Sequence, residues 1–184
     1  MKVLVFIGPS GSGKSTLIRE LHARGVVEVM PSWTTRPQRH DEAGEGLDHR
    51  FVGEAEFGQL ERAGFFLEAV EMFGFRYGLP APSAPRPGSV PAIVVRAPLL
   101  ELVAKHFPDH LVYQVESDLE TVTRRLHSRG ETEIPTRLAG YVGELDLGRE
   151  CACRIFDTGG LPDDVVDDVK WAVEEDFHVE RSTR

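Results

Sequence analysis

Cysteine is almost absent from this sequence. Cys151 and Cys153 are its two cysteines, one residue apart, and in an extended strand such a pair faces opposite sides. That spacing speaks against a disulfide or a zinc site and leaves two reduced thiols, as expected in a cytoplasmic protein. Long apolar runs are missing as well: none approaches the roughly 18 residues of a transmembrane helix. Met1 and Lys2 stand directly before the first apolar run, so no signal peptide is expected. Cations are outnumbered, 21 lysines and arginines against 30 aspartates and glutamates, giving a formal net charge of −9. That disfavours a general nucleic-acid-binding or anionic-membrane surface, though not a local basic pocket for phosphates. Repeats and a domain linker are lacking too, and 184 residues are enough for one domain with a proper core.

What is present centres on Gly8-Pro9-Ser10-Gly11-Ser12-Gly13-Lys14-Ser15, which reads G-x-x-x-x-G-K-S, the pattern of a phosphate-binding P-loop. The apolar run Val3-Leu4-Val5-Phe6-Ile7 before it suits a buried parallel strand. From Thr16 onward the apolar spacing is helical. Strand, glycine loop and helix are the context the motif requires. Gly8, Ser10, Gly11, Ser12, Gly13 and Thr16 would cradle polyphosphate through backbone N–H groups at a positively polarised helix N-terminus. Lys14 can reach the β- and γ-phosphates, and Ser15 can ligate Mg²⁺.

Further along, strands are expected at 26–30, 51–52, 65–71, 92–95, 110–115 and 152–156, with 73–77 as a hairpin partner. Helices are expected at 54–63, 99–106, 118–128, 136–147 and 163–175. Phe57 and Leu60 would share one face of the first. Leu119, Val122 and Leu126 would line one face of the third, capped by Asp118. Five prolines between 79 and 91 exclude a regular helix there. Residues 176–184 read as a solvated tail. Strands alternating with helices predict an α/β fold with a parallel sheet and right-handed crossovers.

Ser32, Arg36 and Arg39 bring a hydroxyl and two guanidiniums within eight residues. Such a group suits a phosphate monoester, because guanidinium forks match phosphate oxygens; a solvated loop has the same spacing. Glu68, within Phe65-Phe66-Leu67-Glu68-Ala69-Val70, can accept from the N1–H and amino group of a guanine, or face outward on a strand. Tyr77 can donate to a phosphate or simply pack.

These residues carry a resemblance. The chain is similar to guanylate kinases over nearly its whole length, through Ser32-x-Thr34-Thr35-Arg36-x-x-Arg39, Phe66-Leu67-Glu68 and Phe73-Gly74-x-x-Tyr77-Gly78. The resemblance implies a P-loop kinase fold, a parallel sheet flanked by helices with a small acceptor-binding insertion (about 32–79) and a short lid (about 129–140). It implies ATP and Mg²⁺ as cofactors and GMP as the favoured acceptor. It places the acceptor phosphate on Ser32, Arg36, Arg39 and Tyr77 and the guanine on Glu68. Arg125, Arg129 and Arg137 match the lid arginines, which with Lys14 would neutralise the transferring group. The chain departs from the family pattern in five places, one of them the lid between Gly130 and Arg137, which is shorter than usual. His49 stands where the family has tyrosine, and its imidazole can still meet phosphate. Leu79 replaces a small hydroxyl residue. The proline-rich segment replaces a helix. The strand 93–95 runs into Arg96 rather than an acidic pair, where Arg96 can hold an anionic group or pair with Glu68 or Glu71. A ribose 1,5-bisphosphate phosphokinase is the alternative enzyme, favoured by Leu79 and the missing acids and disfavoured by Glu68. A non-catalytic guanylate-kinase-like binding module is the third alternative, disfavoured by the intact Lys14-Ser15.

Overall fold

The centre of the molecule is β1 (Val3–Ile7), whose five residues are all buried. A strand covered on both faces needs an unbroken apolar run, which this one has. The computed structural model describes residues 1–38, 47–72, 74–131, 134–160 and 162–179. Around β1 lies a five-stranded parallel sheet in the order β2-β7-β1-β8-β9, with β2 at Val27–Met30, β7 at Val90–Val94, β8 at His110–Glu116 and β9 at Arg154–Asp157.

Helices cover both faces of this sheet. On one side α1 (Lys14–Ala23) and α7 (Pro162–Phe177) bring Leu17, Leu21, Val169 and Val173 onto Phe6 and Tyr113. On the other, α3 (Leu100–His106) brings Leu100 and Val103 onto Val5, Ile93 and Val112. A third cluster joins Val122 and Leu126 of α4 (Leu119–Ser128) to Ile134 of α5 (Ile134–Ala139) and to Tyr141 and Leu145 of α6 (Tyr141–Cys151).

Between β2 and β7 the chain builds a second, mixed sheet in the order β4-β3-β6-β5. Its strands are β3 (Ser32–Thr34), β4 (His49–Phe51), β5 (Phe66–Met72) and β6 (Phe75–Pro80). The helix α2 (Glu54–Arg62) packs on it through Phe57, which is fully buried and stacks on Phe66 with ring centroids 4.7 Å apart. Residues 81–89 hold no helix or strand, as their prolines require.

Several expectations need correcting. The helix expected over 136–147 is two helices, α5 and α6, broken at Gly140. Leu119 is not on the buried face of α4; it is 50% exposed, while Val122 and Leu126 are enclosed. Asp118 caps that helix as expected, accepting from the Thr121 N–H at 2.8 Å. Asp176 and Phe177 belong to α7 rather than to a tail, because Asp176 accepts hydrogen bonds from Tyr113 and Arg154; residues 180–184 lie outside the described ones. Cys151 and Cys153 do not share a strand: Cys151 ends α6, and Cys153 donates its thiol to the Val112 carbonyl.

Candidate active site

The two sheets face each other across a cleft of about 1210 Å³, and residues 8–16 form one wall. The loop after β1 turns sharply at Gly8, where a Cβ would overlap the Val115 carbonyl oxygen. Gly13 caps α1 with φ of 88°, a left-handed conformation that favours glycine. Lys14 and Ser15 are thereby the first two residues of the helix, where free N–H groups and the dipole favour an anion.

The facing wall comes from the second sheet. Ser32 Oγ and His49 Nδ1 are hydrogen-bonded at 2.7 Å across the β3–β4 pair. The Tyr77 ring lies 6.4 Å from the His49 ring. The Arg36 guanidinium stacks over Phe51 at 5.0 Å, and all four of Ser32, Arg36, His49 and Tyr77 line the cleft. The structure therefore gathers four of the expected acceptor residues opposite the P-loop. Arg39 lies outside the described residues.

Three other expected residues stand differently. Glu68 accepts from Lys105 Nζ at 2.6 Å and His106 Nε2 at 2.9 Å, both of α3. Hydrogen bonds from these two groups hold its carboxyl below the usual range. The cleft is lined instead by Val70, Met72, Phe75 and Leu79 of the same hairpin. Arg96 does not pair with Glu68 or Glu71. Its Nε donates to both carboxylate oxygens of Glu144 on α6 at 3.1 Å, and the Glu144 side chain is 4% exposed. Arg125 is spent on the P-loop: it donates to the Gly11 carbonyl at 3.3 Å, and to Thr158 Oγ1 at 3.0 Å and the Thr158 carbonyl at 2.7 Å. Burial, with the charges of Arg129 and Arg124, lowers its pKa. Arg129 lines the cleft. Arg137 falls within α5, and its side chain lies outside the described residues.

Sequence reasoning missed three members of the site. Thr158, in the turn after β9, donates Oγ1 to the Ser12 carbonyl at 2.5 Å; its signal was the polar turn Asp157-Thr158-Gly159-Gly160. Asp48 Oδ2 accepts from Ser15 Oγ at 3.1 Å, and its one signal was adjacency to His49. Glu144 had none, since nothing in its local sequence distinguishes a carboxylate that a distant arginine will pair.

The family model for guanylate kinase matches residues 1–84. A guanylate kinase of Rubrobacter xylanophilus is 34% identical over 162 residues, covering 84% of this chain and 84% of that protein. The chain belongs to the guanylate kinase family. A second relative, the guanylate kinase of Thermobifida fusca, is 37% identical over 139 residues, 73% of this chain and 70% of that one. In fold, the chain is similar to the crystal structure of guanylate kinase from Anaplasma phagocytophilum, with a TM-score of 0.68 and 21% identity over 98% of this chain and 87% of that one. His49, Leu79 and Arg96 all line the cleft of this chain.

Proposed function

We propose that this protein transfers the γ-phosphoryl group of ATP to the phosphate of GMP, giving ADP and GDP. The observation that carries the reading is that one cleft has a P-loop on one wall and Ser32, Arg36, His49 and Tyr77 on the other, in a member of the guanylate kinase family. An acceptor phosphate oxygen forms the new P–O bond as the β–γ bridging bond breaks toward ADP. Such transfers need positioning and charge stabilisation, not a covalent intermediate. The P-loop N–H groups and Lys14 hold the donor phosphates; Arg36, Ser32, His49 and Tyr77 orient the acceptor; Arg129 stabilises the moving charge. Residues 32–79 are in this reading the acceptor-binding part, and 129–140 the lid. The hydroxyl of Ser15 beside the Asp48 carboxylate is an all-oxygen donor set of the kind Mg²⁺ takes. When bound, Mg²⁺ neutralises charge on the β- and γ-phosphates.

One observation favours a second acceptor. Glu68, expected to read the guanine, is engaged by Lys105 and His106, and Leu79 is buried, so a sugar phosphate without a base, such as ribose 1,5-bisphosphate, fits the same phosphate cluster. The test is ADP release with ATP-Mg²⁺ against GMP, dGMP, AMP, CMP, UMP and ribose 1,5-bisphosphate. GMP should give the highest kcat/KM. Lys14→Ala should lower kcat at least about a hundredfold, the scale of losing one preorganised electrostatic donor. Turnover of ribose 1,5-bisphosphate but not GMP would move the assignment to the second acceptor; unchanged ATP turnover in the folded Lys14 variant would remove the P-loop from the mechanism.

A further inference from the structure

Among the described residues, two carboxylates line the cleft, Asp48 and Glu144. Glu144, on α6, is held by Arg96. In P-loop enzymes the carboxylate that joins the loop serine at the metal commonly comes from a strand of the core sheet. Here β7, beside β1, runs on into Val95 and Arg96 and ends in a guanidinium. Among the described residues, the carboxylate that meets the P-loop serine arrives from the opposite direction. Asp48 precedes β4 in the second sheet, and its Oδ2 is 3.1 Å from Ser15 Oγ. Its backbone is pinned, since its carbonyl accepts from the Ser32 N–H at 3.1 Å and from Ser32 Oγ at 3.4 Å. Two neighbouring oxygens in a regular octahedron with Mg–O bonds of about 2.0–2.1 Å lie about 3 Å apart. The hydroxyl and the carboxylate already stand at that separation.

We propose that Asp48 completes the divalent-cation site of the bound nucleotide, holding the metal together with Ser15 from the acceptor-binding sheet instead of a core strand. The inference rests on the kinase reading above. It assigns the dipeptide Asp48-His49 two jobs, a carboxylate on the donor's metal and an imidazole beside the acceptor-binding Ser32. It also carries an unusual sign. Without metal, a carboxylate beside a triphosphate is repelled, so Asp48 should oppose metal-free ATP and favour metal-bound ATP.

The experiment compares native protein with Asp48→Asn by two binding measurements, neither needing turnover. One is Mn²⁺ affinity of the protein with a non-hydrolysable ATP analogue, followed by electron paramagnetic resonance. The other is affinity for the same analogue in excess chelator. The carboxamide oxygen can still accept from Ser15 Oγ, so a purely structural clamp survives the substitution. The expected result is Mn²⁺ affinity lower by at least about tenfold, the scale of losing a group that supports a metal site, with chelator-condition affinity unchanged or tighter. Mn²⁺ affinity within about twofold of native overturns the proposal, being well short of that scale. Native protein that binds the analogue under neither condition overturns the kinase reading itself. If Asp48→Asn does not melt cooperatively, Asp48→Glu carries the test. Moving the charge by one methylene must shift Mn²⁺ affinity while metal-free binding holds, and no shift overturns the assignment.

Discussion

A guanidinium carries five N–H donors in a fixed fork, and Arg125 directs its fork at three acceptors in two loops, Gly11 and both oxygens of Thr158. Thr158 in turn donates to Ser12. The residue expected to stabilise the transferring group is thus built into the floor of the loop that binds the donor. The distinction has a measurable sign. Arg125→Lys keeps the charge but cannot span the three acceptors. It should lower thermal stability and ATP affinity together, by about 1–3 kcal/mol for lost hydrogen bonds to a charged group. A variant with native melting temperature and ATP affinity but reduced kcat would return Arg125 to the reacting phosphates. Glu68 shows why such roles are hard to read from sequence. The strand pattern around it was legible, yet its partners lie 37 and 38 residues away. Lys105 and His106 occupy the last turn of α3, and only the packing of that helix brings them to the hairpin.

At the scale of elements, periodicity located β1, α1, α2, the β5–β6 hairpin and α4 well, because each carries its own apolar pattern or cap. The P-loop and the Ser32–Arg36 segment were legible for the same reason: their chemistry is contiguous. The break between α5 and α6 was not, since Gly140 is one of several small residues in that stretch. Two glycines within α6 make the point quantitatively. A glycine inside a helix costs about 0.5–1 kcal/mol relative to alanine, so by propensity both Gly143→Ala and Gly148→Ala should stabilise. At Gly143 a Cβ meets nothing within 4 Å. At Gly148 it would overlap Gln114 Oε1 and come 2.9 Å from its Cδ and 3.1 Å from Ile7 Cδ1. Gln114 cannot easily give way, because its Nε2 donates to Glu116 and to the Leu145 carbonyl. Overpacking of a tight core costs about 1–3 kcal/mol, more than the propensity gain. Gly143→Ala should therefore raise the melting temperature and Gly148→Ala lower it. Two shifts of the same sign would mean that α6 does not press on β8 as described.

For the whole molecule, one carboxylate ties together parts of the chain that are far apart in sequence. Asp176 near the end of α7 accepts from Tyr113 of β8 at 2.6 Å and from Arg154 of β9 at 2.7 Å, and its carbonyl accepts from Lys2 at 2.8 Å. Hydrogen bonds from Arg154 are the main cause that lowers the Asp176 pKa below 3.8, against an opposing effect of burial. Arg149 likewise lowers Glu116 below 4.5. A carboxyl depressed in the folded state binds fewer protons there than in the unfolded chain. Its stabilisation is therefore complete above the unfolded value and is lost as pH falls through the folded one. A second effect changes sign on the way down. The net charge of −9 at pH 7 reaches zero near pH 5.3, so self-repulsion is relieved down to that pH and grows again below it as the chain becomes cationic. Loss of the two half-buried carboxylates adds to that growth below about pH 4.5, and it is the part of the acid limb that their substitution removes. Urea unfolding of the native protein should show stability falling steeply below that pH. Asp176→Asn should be less stable at pH 7 and should lose less on further acidification, so that the two curves converge toward pH 3. Curves that stay parallel from pH 7 to pH 3 would place the acid sensitivity elsewhere, and Glu116→Gln would be the next variant to measure.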